Sequence, residues 1–172
     1  MAPIGDAEAL FAAHQPGLFR YLSRAVGQVE TARDLTQDVF LRIAGSQTIP
    51  ASDDERRVWI FRIARNLAID HQRRHHVRLE TAAAPGTDIG RPAGQDTSLA
   101  VNEALAALDP LDRDVFLMRE VAGLSYAEVA TACDLTVAAV RSRIHRARLE
   151  LRERLKAPIA AARTQPLNAR WL

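Results

Sequence analysis

Basic and hydroxyl side chains near the end of the chain have the types and spacing of a DNA-contacting helix face. Between residues 136 and 148 they are Thr136, Arg141, Ser142, Arg143, His145, Arg146 and Arg148. Guanidinium groups form paired hydrogen bonds to guanine edges and to phosphates, and hydroxyl groups bind phosphates. Taken alone, such an arginine run is more typical of a solvated helix face. Whether it binds DNA must therefore be judged from the elements that precede it.

The segment before this run has the pattern of a short capped helix followed by a turn. Ser125 is an N-cap residue type, and Glu128 follows at the spacing of a capping box. A turn at residues 133–135 leads to Thr136, which caps a second helix predicted to bury Val137, Val140 and Ile144. This is the helix-turn-helix pattern, in which the second helix enters the major groove. Asp134 stands where the turn usually has glycine, but aspartate tolerates the left-handed conformation.

Two further stripes lie in the N-terminal half of the chain. Polar residues with one leucine recur at intervals of three and four, opposite an apolar face, and suit docking to a partner helix: Asp34, Gln37, Asp38 and Leu41. A second face mixes charge with an amide that can bind a base edge: Arg62, Arg65, Asn66, Ile69 and Arg73. For the first stripe, a merely solvated surface is the alternative. Trp59 could stack on DNA, but its spacing with Ile63 favours the core.

Helical periodicity and capping residues predict an all-α fold with two helical domains joined by a flexible linker. The N-terminal domain is predicted at residues 1–77, the linker at 78–98, the second domain at 99–156 and a loosely ordered tail at 157–172. The first predicted helix ends at Gly27, the second spans 29–44, and the third runs from a cap at Ser52 or Asp53 to about Arg74. Four more helices are predicted at about 99–107, 111–122, 126–132 and 137–156. The linker is rich in proline and glycine.

The distribution of charge along the chain is more informative about binding partners than the net charge of +2. Residues 100–135 hold seven acidic residues against two arginines, whereas residues 136–156 hold seven basic residues against two glutamates. Nearly all the basic charge is arginine, which a GC-rich genome would also explain. The single cysteine, Cys133, excludes an intrachain disulfide framework and is expected to be a small buried residue.

Several functional classes find no support in the sequence. No apolar run is long enough to span a bilayer and the N-terminus lacks signal-peptide features, so a cytoplasmic protein without membrane insertion is expected. No catalytic constellation or phosphate loop is present, which predicts neither enzymatic activity nor a cofactor. His71, His75 and His76 have partial metal-site spacing without a further ligand, and a solvated helix end that faces DNA is the preferred interpretation.

Three motifs together resemble extracytoplasmic-function (ECF) RNA polymerase sigma factors. Residues 124–130 with 140–148 resemble the region 4 signature, residues 32–42 resemble region 2.2, and residues 59–70 resemble regions 2.3 and 2.4. The first helix, with His14, is also similar to the iron-starvation branch of that family. The resemblance covers about 150 residues, in the family's order.

The resemblance implies roles for the surfaces found above. The Asp34 stripe would grip the clamp helices of the polymerase β′ subunit, and region 4 would contact the β flap. The Asn66 face and the loop before it would capture unstacked bases of the −10 element, while the basic helix would bind the −35 element. An anti-sigma factor is an expected partner besides core polymerase and promoter DNA.

Two alternatives remain open at the level of sequence. One is a helix-turn-helix regulator that acts without being a polymerase subunit, and the other is an enzyme fused to a DNA-binding module. A ligand-binding domain would need neither the Asp34 stripe nor the Asn66 face, and the missing catalytic constellations argue against the enzyme. A sigma factor is therefore the predicted function.

Overall fold

A computed structural model describes residues 4–81 and 95–164, and within those ranges the regular structure is entirely helical. The predicted all-α fold class is confirmed. In chain order the helices are α1 (Ile4–Val26), α2 (Val29–Ala44), α3 (Asp53–Thr81), α4 (Gln95–Ala106), α5 (Pro110–Glu120), α6 (Tyr126–Cys133) and α7 (Val137–Thr164). None of the helices in the described ranges combines the length and apolar character needed to cross a bilayer.

Helix boundaries marked by glycine or proline lie within two residues of where the sequence predicts them. Gly27 follows α1 with φ +74°, a left-handed conformation that favours glycine, and α2 has the predicted bounds. Asp109 caps α5 by accepting hydrogen bonds from the amides of Leu111 and Asp112, and Pro110 takes the first helical position. Side-chain caps and glycine stops are local signals, so they can be predicted without knowledge of the tertiary structure.

Three predicted helix ends were wrong. α3 continues seven residues beyond Arg74 to Thr81, and α4 begins at Gln95 rather than Leu99. α7 was predicted to end at about Lys156, because residues 157–172 contain two prolines and no clear amphipathic pattern, but the helix runs to Thr164. The helices therefore enter the predicted linker from both sides and the predicted tail from one. Residues 82–94 and 165–172 lie outside the described residues.

The N-terminal core is formed by the facing sides of α1, α2 and α3. Its fully buried side chains include Leu18, Leu22, Val39, Ile43 and Ile60, as the helical periodicity predicts. The ring of Tyr21 meets that of Phe61 edge-on, with centroids 5.9 Å apart. Trp59 and Ile63 pack against this core but are only partly buried, so Trp59 meets the core placement favoured for it only in part.

The C-terminal core is formed by α4 to α7. Val115, Leu117, Met118, Val129 and Ile144 are buried in it. The prediction that Val137 is buried was wrong, because this side chain is 37% exposed. It occupies the first position of α7, before the helix has turned its apolar face onto α5 and α6.

The two halves of the molecule pack against each other. α3 contacts α6 and α1 contacts α5, and the buried apolar residues form one continuous cluster. The polar surfaces predicted from the sequence are therefore positioned by helices of both halves, and some of them lie near the joint.

Candidate DNA and polymerase interfaces

A capped helix and a left-handed turn position the start of α7. The Ser125 hydroxyl accepts from the Glu128 amide at 3.1 Å, and the Glu128 carboxylate accepts from the Ser125 amide at 2.6 Å. Asp134 ends α6 with φ 54° and ψ 48°, which is the left-handed conformation expected there. The Thr136 hydroxyl then accepts from the Ala139 amide at 3.1 Å. The predicted helix-turn-helix is thus present, and both of its helices begin at a side-chain cap.

The outer face of α7 presents groups that suit a DNA groove. Arg141, Ser142 and His145 are exposed there, and Thr136 lies at the same end of the helix. The Arg141 guanidinium lies 5.4 Å from the centre of the Tyr126 ring, and Arg119 lies 4.6 Å from the same ring. Contacts between a cation and a ring face restrict the guanidinium without neutralising its charge. Arg141 therefore remains available for an anionic or guanine partner.

Other arginines of the same helix are held by carboxylates of α5. The Asp112 carboxylate accepts from Arg143 Nη1 at 2.5 Å and from Arg146 Nε and Nη2 at 3.1 and 3.0 Å. Arg148 Nη2 donates to Glu120 at 2.6 Å. The seven predicted contact residues therefore divide into those free of acidic partners in the described chain and those that also fasten α7 to α5.

Sequence reasoning missed Asp112, whose side chain is only 9% exposed. Burial alone would raise its pKa, but the hydrogen bonds from Arg146 and Arg143 outweigh burial and hold the pKa below its ordinary value. The only local signal is an acidic residue next to the apolar stretch of α5. Its arginine partners lie 31 and 34 residues further along the chain.

The predicted polymerase-docking stripe is a continuous exposed surface on α2. Asp34, Gln37 and Asp38 are exposed, and Leu41 is 64% exposed although it is a large apolar residue. Leu35, Val39 and Ile43 are buried on the opposite side of the helix. An exposed leucine framed by acidic and amide groups is suited to a helical partner with basic and apolar residues.

The predicted face on α3 is divided between solvent and the second half of the molecule. Asn66 and Arg73 are exposed, and Ile69 is partly buried. Arg62 Nη2 donates to the Thr131 carbonyl at 2.5 Å and to the Asp134 carboxylate at 3.0 Å. Arg65 Nε donates to the Asp114 carboxylate at 3.0 Å. Two of the five residues thus contact α5, α6 and the turn after α6.

Arg57, which the sequence did not single out, extends the same joint. Its Nη2 donates to the carbonyls of Ala122 and Gly123 at 3.2 and 2.9 Å, and its Nη1 lies 3.6 Å from Glu128. The pKa of Asp114 is raised, because burial outweighs the favourable charges of Arg65 and Arg113. The joint is therefore rich in ion pairs, of which the Arg65–Asp114 pair is the most enclosed.

A cleft lies beside the connector between α2 and α3. It has a volume of about 820 Å³ and is lined by α1, the connector and the first turn of α3: Ala9, Leu10, Ala13, His14, Gln47, Thr48, Ile49, Asp53 and Arg56. Burial and, secondarily, the charge of Arg57 lower the pKa of His14. The wall of this cleft offers amide, hydroxyl and imidazole groups, which can contact a polar planar ligand, and an ion pair in which Arg56 Nη1 lies 2.8 Å from the Asp53 carboxylate. From the sequence, His14 was predicted to lie in the first helix, and no role at a cleft was predicted for it.

The histidines near the end of α3 do not form a metal centre in the part of the chain that the structure describes. The rings of His71 and His75 are stacked with centroids 6.3 Å apart. Among the residues described, no group of three or more histidine, cysteine or acidic side chains could hold a metal ion. The side chain of His76 lies outside that description.

Comparison with known families matches both halves of the chain. Residues 10–78 match the family described as "Sigma-70 region 2", and residues 98–151 match "Sigma-70, region 4". The "ECF RNA polymerase sigma factor SigC" of Mycobacterium tuberculosis is 34% identical over 148 residues, which are 82% of this chain and 78% of that protein. The "RNA polymerase sigma factor YlaC" of Bacillus subtilis is 26% identical, with 86% and 91% of the two chains covered.

Solved structures agree with the family match. CnrH, in a complex with the cytosolic domain of CnrY, has a TM-score of 0.71 and 27% identity, and 91% of each chain is covered. RpoE of Bartonella quintana, solved with the anti-sigma factor NepR, shares the fold with a TM-score of 0.64 at 22% identity, over 88% of this chain and 95% of that one. The two matched regions, their order and the identity to SigC show that this chain belongs to the ECF sigma factors, which direct RNA polymerase to specific promoters.

Proposed function

We propose that the two halves of this sigma factor divide promoter recognition between them, as residues 1–77 and 99–156 joined through 78–98. The exposed face of α7 would bind the −35 element through Thr136, Arg141, Ser142 and His145. The observation that carries this proposal is the exposed Arg141, which has no carboxylate partner among the described residues and lies in the first turns of a capped second helix. Arg143, Arg146 and Arg148 would contribute to DNA binding while also bound to α5.

The α2 stripe is the proposed dock for core RNA polymerase. Asp34, Gln37, Asp38 and Leu41 would meet the β′ clamp helices, and the C-terminal half would meet the β flap. The support is an exposed leucine between acidic and amide groups, on a helix whose other side is fully packed. Family members act as initiation factors rather than as enzymes, and we expect this one where the polymerase is, in the cytoplasm.

The −10 element is proposed to bind along α3 and the cleft beside it. Asn66, Ile69 and Arg73 are accessible for this role in the arrangement described, and the cleft of about 820 Å³ can accept an unstacked base. Extruding a base costs a few kcal/mol, which pocket contacts must offset. Arg62 and Arg65 can join this contact only after they leave Thr131, Asp134 and Asp114.

An anti-sigma factor is proposed as a further partner. RpoE of Bartonella quintana was solved with the anti-sigma factor NepR, and CnrH was solved with the cytosolic domain of CnrY. This chain shares the fold of both. The relatives named above lend no support to the iron-starvation branch that the first helix resembles, so the proposal does not extend to it.

Promoter-dependent run-off transcription tests the proposal. The purified chain is mixed with core RNA polymerase from a related bacterium and a template library, and we expect transcripts that start at discrete promoters. A helix-turn-helix regulator would instead bind duplex DNA tightly by itself and add no initiation to core polymerase. That result would overturn the proposal.

Two substitutions separate the proposed contacts. Arg141→Ala should weaken promoter binding on duplex templates, and templates with a mutated −35 element should no longer distinguish it from the native protein. Asn66→Ala should impair strand opening, which is measured by permanganate reactivity of unpaired thymines, while binding of the closed duplex persists. Arg152→Ala removes an exposed arginine further along α7 and serves as the control. Normal initiation by both variants would contradict the assigned sites.

A further inference from the structure

A cavity of about 360 Å³ lies at the joint between the two halves, away from the proposed DNA and polymerase surfaces of α2 and α7. The end of α1 and the later part of α3 form one side, and α4 and α5 form the other. Its polar lining includes Arg24, His71, Gln72, His75, Asn102 and Arg113. None of the described residues that line it is acidic, although four of these six can carry positive charge.

The two guanidinium groups of this cavity are held by neutral amides. Arg24 Nη1 donates to Asn102 Oδ1 at 2.9 Å, and Arg113 Nη2 donates to Gln72 Oε1 at 2.6 Å. Gln72 is itself oriented by donating to the Ala25 carbonyl at 2.7 Å. An amide oxygen fixes the direction of a guanidinium but leaves its charge in place. The Asp114 carboxylate offsets part of the Arg113 charge, since Arg113 opposes the burial that raises the pKa of Asp114, whereas Arg24 has no carboxylate partner among the described residues. The cavity therefore keeps a positive potential.

Arg113 also has a hydrogen-bond donor left over. Its Nε is buried and has no acceptor in the described part of the chain. Asp114, the next residue, directs its carboxylate to Arg65 on the other side of the joint. A buried donor on a cation is costly to leave unsatisfied, and neither Gln72 nor Asp114 supplies an acceptor for this one.

We propose that this cavity binds a small phosphate-bearing anion of about the size of pyrophosphate, and that the bound anion holds the two halves together. Guanidinium groups match phosphate oxygens in geometry and charge, and the volume is at the small end of ligand sites, which span about 300–1,000 Å³. Arg24 belongs to α1 and Arg113 to α5, so one anion would bridge both halves. Anything that binds only the closed arrangement stabilises that arrangement.

Calorimetric titration of the full chain with inorganic pyrophosphate, at constant ionic strength, tests the binding step. We expect one saturable site, and at least tenfold weaker binding in both Arg113→Gln and Arg24→Gln. The two variants lie on opposite sides of the joint, so a folding defect in one of them leaves the other as a test. Circular dichroism of each variant would detect such a defect. Arg154→Gln removes a charge far from the cavity and should bind as the native chain does.

A distance measurement tests the closing step. Fluorophores on Ala12→Cys and Arg152→Cys, both exposed and on different halves, report separation of the halves as sodium chloride is raised. Pyrophosphate should move the midpoint of that transition to a higher salt concentration than sulfate does at equal ionic strength. This experiment uses the protein alone, so its failure is distinct from failure of the proposed initiation function.

Three results would overturn the proposal. The first is the absence of saturable pyrophosphate binding, and the second is an equal loss of binding in Arg154→Gln. The third concerns the source of the phosphate. It would be the finding that promoter duplex displaces pyrophosphate from the chain and that the affinity of the duplex depends on Arg113. That result would assign the cavity to the DNA backbone instead of a free anion.

Discussion

At the scale of single residues, the buried carboxylate of Asp112 joins α5 to α7, the proposed DNA-binding helix. Asp112→Asn keeps the shape but removes the charge that binds Arg143 and Arg146, so the free energy of unfolding should fall by about 1–3 kcal/mol at pH 7. Because the folded-state pKa of Asp112 is lowered, its contribution is present above the unfolded pKa of about 3.9 and is lost as the pH falls through the folded value.

Urea unfolding measured at pH 7 and again below about pH 4 checks both parts of this prediction. The difference between native chain and variant should narrow at the lower pH. Asp70→Asn, an exposed position on α3, is the control and should change stability little. A difference that stays constant across this range would show that the Asp112 charge does not stabilise the fold.

The single thiol should be protected by its environment. Burial raises the pKa of Cys133 to about 11, so its thiolate fraction at pH 8 is about 200-fold below that of a free cysteine with a pKa of about 8.5. We expect the native chain to react with Ellman's reagent at least about 100-fold more slowly than the chain in guanidinium chloride. Rapid reaction of the folded protein would contradict this burial.

Residues differ in how far the sequence alone defines them. The left-handed turn at Asp134 was predictable because the conformational preference belongs to that residue and its neighbours. The roles of Asp112 and Asp114 were not, since their arginine partners come from α7 and α3 and meet them only in the folded chain. A charged residue in a helix gives no sign of whether it will be solvated or enclosed.

At the scale of elements, helix beginnings that carry a side-chain cap were easier to predict than other helix boundaries, among them the beginning of α4. Ser125, Asp109 and Thr136 each accept a hydrogen bond from an amide of the following helix. The ends of α3 and α7 carry no comparable signal, and both helices continue through residues that were predicted as linker or tail. Where no glycine follows, the end of a helix depends on tertiary packing and on the free energy lost when the next helical turn does not form. A local sequence pattern gives neither quantity.

Removing the cap of α6 should destabilise the helix-turn-helix. Ser125→Ala deletes the acceptor for the Glu128 amide and should lower the free energy of unfolding by about 1 kcal/mol. Ser52→Ala should cost less, because the corresponding distances at α3 are 3.3 and 3.4 Å instead of 3.1 and 2.6 Å. Urea unfolding of the two variants compares them directly. An equal loss, or a larger one for Ser52→Ala, would contradict the ranking.

At the scale of the whole molecule, the packing of the two halves leaves the proposed surfaces unequally accessible. The α2 stripe and the start of α7 are exposed in the packed arrangement, whereas Arg62 and Arg65 of α3 are held by the second half. The proposed contact with polymerase through α2 therefore requires no separation of the halves, while the proposed full contact of α3 with the −10 element does. No local sequence pattern predicts this inequality, because it arises from contacts about 50–72 residues apart in the chain.

Weakening the ion pairs at the joint should favour separation of the halves. In a Glu128→Gln, Asp134→Asn double variant, both side chains keep their size. The amide oxygen introduced at position 128 can still accept from the Ser125 amide, and asparagine tolerates the left-handed turn. Loss of the charges facing Arg57 and Arg62 removes about 0.2–1 kcal/mol for each partly exposed pair, so the ratio of open to closed molecules should rise about twofold to thirtyfold.

Fluorophores on Ala12→Cys and Arg152→Cys measure this ratio, and the double variant should separate at lower salt than its parent. A single-stranded −10 oligonucleotide should bind the double variant more tightly by a similar factor, because Arg62 no longer has to leave a carboxylate. Glu150→Gln with Glu153→Gln removes two charges that pair within α7 and should leave the distance unchanged. If both double variants behave alike, general charge rather than these two pairs holds the halves together.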